Sequence, residues 1–159
     1  MMPSQTPIQK PDEAEGTQHD GDLSDLLQEL RILLPGAQVL TAFLIILPFS
    51  TGFAKIQRTE QWVYVATFAC SVVSLALFTA PAAQHRLERP LRDRERFKRD
   101  ATRLIILGLI PLSVAVVLAT QLVVNEAIGR DVGFVVAAIV GSVIALTWWL
   151  LPLNHRRSE

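Results

Sequence analysis

The sequence predicts an all-α fold: a polytopic membrane protein built as a four-transmembrane-helix bundle, with a cytoplasmic helical hairpin between spans two and three. Two observations carry this reading. Residues 32–54, 61–84, 104–125 and 132–153 contain no Asp, Glu, Lys, Arg or His, and all the charge lies between or outside these runs. Each run holds 22 to 24 residues, and a helix rising about 1.5 Å per residue needs about 20 to cross the hydrocarbon core. The second observation is that basic residues gather on alternate loops, as the orientation of membrane proteins requires.

Composition alone does not decide the class, because a chain that is 50% hydrophobic and 19% charged also fits a soluble domain. Distribution decides it. A helix of a soluble bundle wets one face and places charge there every three or four residues; these runs do not. Strands are excluded too, since a barrel strand takes about 9–11 residues of alternating polarity. Pro35, Pro48, Pro81, Pro111 and Pro152 are compatible with spanning helices, in which neighbouring groups re-satisfy the carbonyl a proline frees.

Three regions follow. Residues 1–22 are rich in Pro, Gly and acidic side chains and read as a disordered acidic cytoplasmic tail. Residues 23–153 form the membrane domain, in which a short interfacial turn or two, capped by Ser24 or Asp25, leads into span one. Residues 154–159 make a short basic cytoplasmic tail. The N-terminal stretch lacks the basic and apolar pattern of a secretory signal, and the lone Cys70 inside span two forms no intramolecular disulfide.

The loops orient the bundle. Lys10, Arg31, eight basic residues between spans two and three, and Arg156 with Arg157 place twelve on one side. Lys55, Arg58 and Arg130 place three on the other. Lys and Arg remain cytoplasmic, so both termini are expected in the cytoplasm and the protein in the plasma (inner) membrane. Within the basic loop, Glu88/Arg92, Arg89/Asp93, Glu95/Arg99 and Arg96/Asp100 are spaced i,i+4, which favours helix. With Pro90 as a breaker, span two is expected to run to about Glu88 and a second helix to lead into span three.

Ionisable groups inside a membrane mark function, and the four cores contain none. Candidate polar residues are Glu29 and Arg31 at the inner mouth of span one, Gln38 and Thr41 deeper on a shared face, and His85 with Arg86 at the inner end of span two. Gln38 is expected to face the bundle interior, because an amide facing lipid is costly. Thr67, Ser71 and Ser74 form a hydroxyl seam in span two, and Ser113 and Thr120 stand seven apart in span three. These read chiefly as interhelical hydrogen-bonding groups. Gly133, Ala137, Gly141 and Ala145 recur every four residues in span four, a spacing that lets a helix approach closely, from the same chain or from a second copy.

No nucleotide loop, metal-binding helix or nucleophile elbow is present, so no enzyme activity and no cofactor is expected. Partners are the lipid bilayer, a weak anionic-lipid contact at the basic loop, and a homo-oligomer; nucleic acid is not expected, since four acidic residues offset half the loop's charge.

Glu29-Leu30-Arg31, residues 34–40 (LPGAQVL), Ala42-Phe43-Leu44, Leu47-Pro48-Phe49, Ala80-Pro81 and His85-Arg86-Leu87 together resemble a family of small four-span actinobacterial membrane proteins of unknown function. The resemblance covers about residues 22–153 and is sharpest in span one. It implies no established activity or cofactor, although members are sometimes labelled sodium:proton antiporters. It marks Glu29, Arg31, Gln38, His85 and Arg86 as family-typical positions. Two functions are therefore carried forward: a non-enzymatic scaffold or regulatory bundle, and a small ion- or proton-coupled transporter or channel.

Overall fold

The computed structural model describes residues 11–53, 57–87 and 94–151. Helix α1 runs Pro11–Ile46, α2 Arg58–Leu87, α3 Arg94–Ala127 and α4 Arg130–Ile144. All four are long and apolar enough to cross a membrane, over Gln28–Phe49, Arg58–Gln84, Arg99–Ala127 and Arg130–Leu150. No strand occurs among the described residues. The α1–α2 and α3–α4 loops share one end of the molecule. The α2–α3 connection, at the end rich in Arg, marks the basic end.

Helix α1 begins earlier than the sequence suggests. It starts at Pro11, so the part of the expected disordered tail from residue 11 onward is helical; residues 1–10 lie outside the described residues. A proline suits the first helical position, where its missing N–H would be unpaired anyway. At 36 residues the helix is about 54 Å long, well beyond the thickness of the hydrocarbon core.

Span one also ends sooner than the charge-free run. After Ile46 the chain tightens into a 3₁₀ turn, Leu47–Phe49, because Pro48 has no N–H to continue the ladder. Both the Ser50 amide (3.1 Å) and the Ser50 hydroxyl (2.8 Å) donate to the Leu47 carbonyl and close the helix end. At the other end of the chain, α4 widens into a π-helical segment, Ala145–Leu150. There the Leu151 amide reaches back five residues to Leu146. The Thr147 hydroxyl donates to the Val143 carbonyl at 2.8 Å, and Pro152 follows without an amide of its own, two departures from a regular ladder.

The helices pack in chain order: α1 on α2, α2 on α3, α3 on α4, with α1 touching α3 more sparsely and α4 not reaching α1. The core joins Leu30, Ala37, Phe78, Phe97, Ala101, Ile105 and Leu112. Phe97 and Ala101 precede the charge-free run of α3, so the core continues into the basic end and seats the start of α3 against α1. Helix α2 stops at Leu87 and α3 starts at Arg94, in line with the expected helical hairpin; Glu88, Pro90, Arg92 and Asp93 lie outside the described residues. Asp100 pairs with Arg103 one turn along, at 3.9 Å and well exposed, a geometry worth little in water.

Helix α4 meets α3 along its small residues. Gly133 and Ala137 are buried, Gly141 is half-buried, and Ile144 completes the face. Ala145 is exposed, which corrects the four-residue row: an exact four-residue repeat drifts about 40° per step around a helix, so its fourth member leaves the contact. The partner of the row is α3 of the same chain. A Cβ at Gly133 would overlap the Asn125 side chain. That side chain's Oδ1 is buried without a hydrogen-bond partner among the described residues. Gly129, with φ 136°, makes the α3–α4 turn in a conformation that side chains disfavour.

Gly141 supplies a direct check. A Cβ there would lie 3.5 Å from Val117 Cγ2, ordinary contact, so alanine fits and leucine overpacks by about 1–3 kcal/mol. Gly141→Leu is expected to lower the unfolding temperature in detergent. Val143→Leu, at a site 54% exposed, should stay within about 0.5 kcal/mol of the native protein. Equal unfolding temperatures for the two variants would refute the packed face.

Candidate functional site

Four buried hydroxyls of the spans form a ladder between α1, α2 and α3. Thr67, Ser71 and Ser74 of α2 are fully buried, and Thr41 of α1 is 7% exposed. Thr41 Oγ1 and Ser71 Oγ are 2.6 Å apart, and the Thr41 hydroxyl also lies 2.8 Å from the Ala37 carbonyl. Just under one turn along α2, the Ser74 hydroxyl donates to the Gly108 carbonyl of α3 at 2.9 Å. Thr67 bonds within its own helix, to the Val63 carbonyl at 2.7 Å. The spacing of four and three residues places all three α2 hydroxyls on one face, and small side chains there let the helices close.

Tyr64 adds a bond that the sequence reading missed. Its hydroxyl donates to the Leu44 carbonyl at 2.8 Å. That carbonyl would ordinarily accept from residue 48, which is Pro48. The tyrosine therefore fills the acceptor that the proline leaves open, as membrane interiors require. A signal was available: a proline in a spanning helix implies a donor near residue i−4. Phe53 packs edge-on against the Tyr64 ring, with centroids 4.9 Å apart.

The same end of the bundle, away from the basic end, carries a small ionic cluster. Glu60 Oε2 accepts the Gln57 amide at 3.2 Å, a glutamate reaching back over the start of its own helix. Arg130 donates to Gln57 Oε1 at 2.9 Å and stands 3.8 Å from Glu60 Oε1, linking the start of α4 to the start of α2. Beside it Tyr64, Phe53, Glu60 and Glu126 border an apolar cavity of about 270 Å³.

An apolar cleft runs along the bundle between α1 and the end of α4, floored by α3. Its middle part, about 570 Å³, is lined by Leu33, Gly36, Leu40, Val116, Thr120 and Trp148. Towards the basic end it continues past Trp148 to Glu29, Thr102 and Thr147, with about 500 Å³ more. Thr120, the polar residue in the middle, donates to its own Val116 carbonyl at 2.8 Å.

The six candidate polar residues do not converge. Thr41 is buried in the ladder. Glu29 and Arg31 are exposed at the basic end, Arg86 is exposed on α2, and the side chain of His85 lies outside the described residues. Gln38 is exposed, and it faces out of the bundle rather than into it. The reason is rotational. Leu30, Ala37, Thr41 and Leu44 define the buried face of α1, and Gln38 stands about 100° around the helix from Ala37. The polar route Arg31–Gln38–Thr41 is therefore not assembled within one chain.

Four helices of spanning length, clamped by hydroxyls and wrapped in exposed aliphatic side chains, define a multi-pass helical membrane protein. The chain belongs to the family described as "Family of unknown function (DUF6328)", whose model matches residues 12–152. No curated protein and no solved structure matches it.

Proposed function

We propose that the chain is a non-enzymatic scaffold or regulatory bundle of the plasma membrane, with both termini and the α2–α3 hairpin in the cytoplasm. One observation carries this reading. The four buried hydroxyl side chains of the spans, Thr41, Thr67, Ser71 and Ser74, are each committed to a backbone carbonyl or to another hydroxyl at 2.6–2.9 Å, and the one buried side-chain oxygen left unpaired among the described residues, Asn125 Oδ1, lies at the α3–α4 end rather than at mid-span. Two of these bonds, Thr41–Ser71 and Ser74–Gly108, join helix to helix. A coupled transporter needs instead a group that can hold its driving ion and release it.

The basic end supports the regulatory half. Its helices extend past the spans, and Phe97 and Ala101 pack there with Leu30. This gives the hairpin a fixed platform that a cytoplasmic partner can read, while the bilayer anchors it; anionic lipid headgroups would add a weak attraction to its arginines.

The test is proton and sodium flux into liposomes containing the purified protein, from mildly acidic to mildly basic pH. The expected result is leakage no greater than in protein-free liposomes. Thr41→Val is then expected to lower the unfolding temperature by breaking the link to Ser71, with no change in leakage. Robust flux that Thr41→Val or Gln38→Leu reduces would replace the scaffold with an ion-conducting bundle.

A further inference from the structure

Gln38 is the residue that the single chain leaves unexplained. The span of α1 covers Gln28–Phe49, so Gln38 sits at its middle, about 15 Å from either end. A glutamine side chain reaches only about 5 Å, a third of that distance, so it cannot bring its amide to the interfacial water. It is exposed, and its amide has no hydrogen-bond partner among the described residues. Hydrocarbon offers none either.

The residues around it form a stripe. Arg31, Pro35, Gln38, Ala42, Ile45 and Phe49 are all exposed, and their spacings of four and three residues are those of a helix–helix seam. Counted around α1, this stripe lies opposite the cleft-lining residues Gly36, Leu40 and Phe43, and a quarter turn from the face on α2. It is a separate surface of an edge helix, with Ala42 one turn from the amide to admit a close neighbour.

We infer that α1 pairs with α1 of a second copy of this chain, crossing at Gln38, where the two amides exchange reciprocal Nε2–H···Oε1 hydrogen bonds. A primary amide carries both donor and acceptor and so is its own complement. Copies inserted in the same direction hold Gln38 at the same depth, and a twofold axis along the membrane normal brings the two together without any change of register. A crossing at mid-span also lets the Arg31 ends splay into water, where like charges are screened. The pairing is independent of whether the bundle scaffolds or conducts.

The experiment uses the full chain in native membranes, with Cys70→Ser as background and two differently tagged copies expressed together. Ala42→Cys in that background is expected to give an oxidative cross-link between the two tags, at twice the chain mass. Val73→Cys, exposed on α2, is the control and should not. Adding Gln38→Leu to Ala42→Cys should weaken pairing about five- to thirtyfold, the range that interhelical polar contacts span in model peptides. Val39→Leu, on the adjacent lipid-facing position, should leave pairing unchanged. Because Gln38 makes no contact that holds its own bundle, the unfolding temperature of diluted, monomeric Gln38→Leu should match that of the native chain. Undiminished cross-linking in Gln38→Leu, equal cross-linking at Val73→Cys, or an Ala42→Cys product at any other mass would overturn the inference.

Discussion

Gly108→Ala is expected to destabilise the bundle by about 1–3 kcal/mol, and Gly108→Leu to prevent assembly of α2 with α3. An added Cβ at Gly108 would lie 2.7 Å from Phe78 Cε1, 2.9 Å from Cδ1 and 3.3 Å from Leu77 Cβ. Phe78 is fully buried, so its ring has no open space to swing into. Next to this contact the Ser74 hydroxyl reaches the Gly108 carbonyl at 2.9 Å, and moving the helices apart to make room would break that bond as well. The cost therefore combines overpacking with a lost hydrogen bond, the latter about 0.6 kcal/mol on average in a membrane. A double-mutant cycle with Phe78→Leu isolates the contact. Phe78→Leu alone should destabilise by opening a void, and Gly108→Ala in that background should cost markedly less than in the native protein. The measurement is thermal unfolding in one detergent for the four proteins. Additive effects, or a Gly108→Ala protein as stable as the native one, would show that the ring and the glycine are not in contact.

This crossing also shows where sequence reasoning stopped. The spans were legible because hydropathy depends on composition, and a membrane imposes its length on every helix alike. Thr67, Ser71 and Ser74 stood out for the same reason, as hydroxyls in charge-free surroundings, and their spacing alone put them on one face. Gly108 gave a fainter signal: a single glycine among Ile105, Ile106, Leu107 and Leu109, which in a helix implies either a cost or a close neighbour. What it is close to depends on how α2 and α3 are rotated, and no local pattern encodes that.

Gln38 is the clearest case. A mid-span amide avoids lipid, but the energetics require only that it find a partner, in its own chain or in another. Thr41, three residues away, did turn inward, so the two members of the expected seam separate at the edge of the α1–α2 contact. The row in span four divides similarly: Gly133, Ala137 and Gly141 meet α3, while Ala145 has rotated out of reach. Helix ends were limited by a different factor. Charge-free runs mark where a helix can lie, whereas Pro48 and the Ser50 hydroxyl set where α1 stops.

Orientation carries the other large expected effect, an all-or-none reporter signal. Twelve basic residues flank the end with the α2–α3 connection and three flank the opposite end. Acidic residues contribute little to this rule, so Glu88, Asp93, Glu95 and Asp100 do not cancel it even though they halve the net charge of the loop. A reporter active only in the cytoplasm should give full signal when fused at the C-terminus or inserted within residues 91–98, and none when inserted at Gln57. A reporter active only outside should give the reverse. Gln replacement of Arg89, Arg92, Arg94, Arg96, Lys98 and Arg99 lowers the excess from nine to three, and mixed signals are then expected at the C-terminus. The sites before Arg94 lie outside the described helices, and Arg96 and Arg99 are exposed, while Phe97 and Ala101, which seat this end of α3, stay unchanged. An extracytoplasmic signal from the native C-terminus would reverse the orientation, and an unchanged cytoplasmic signal in the six-residue variant would mean that something other than loop charge fixes it.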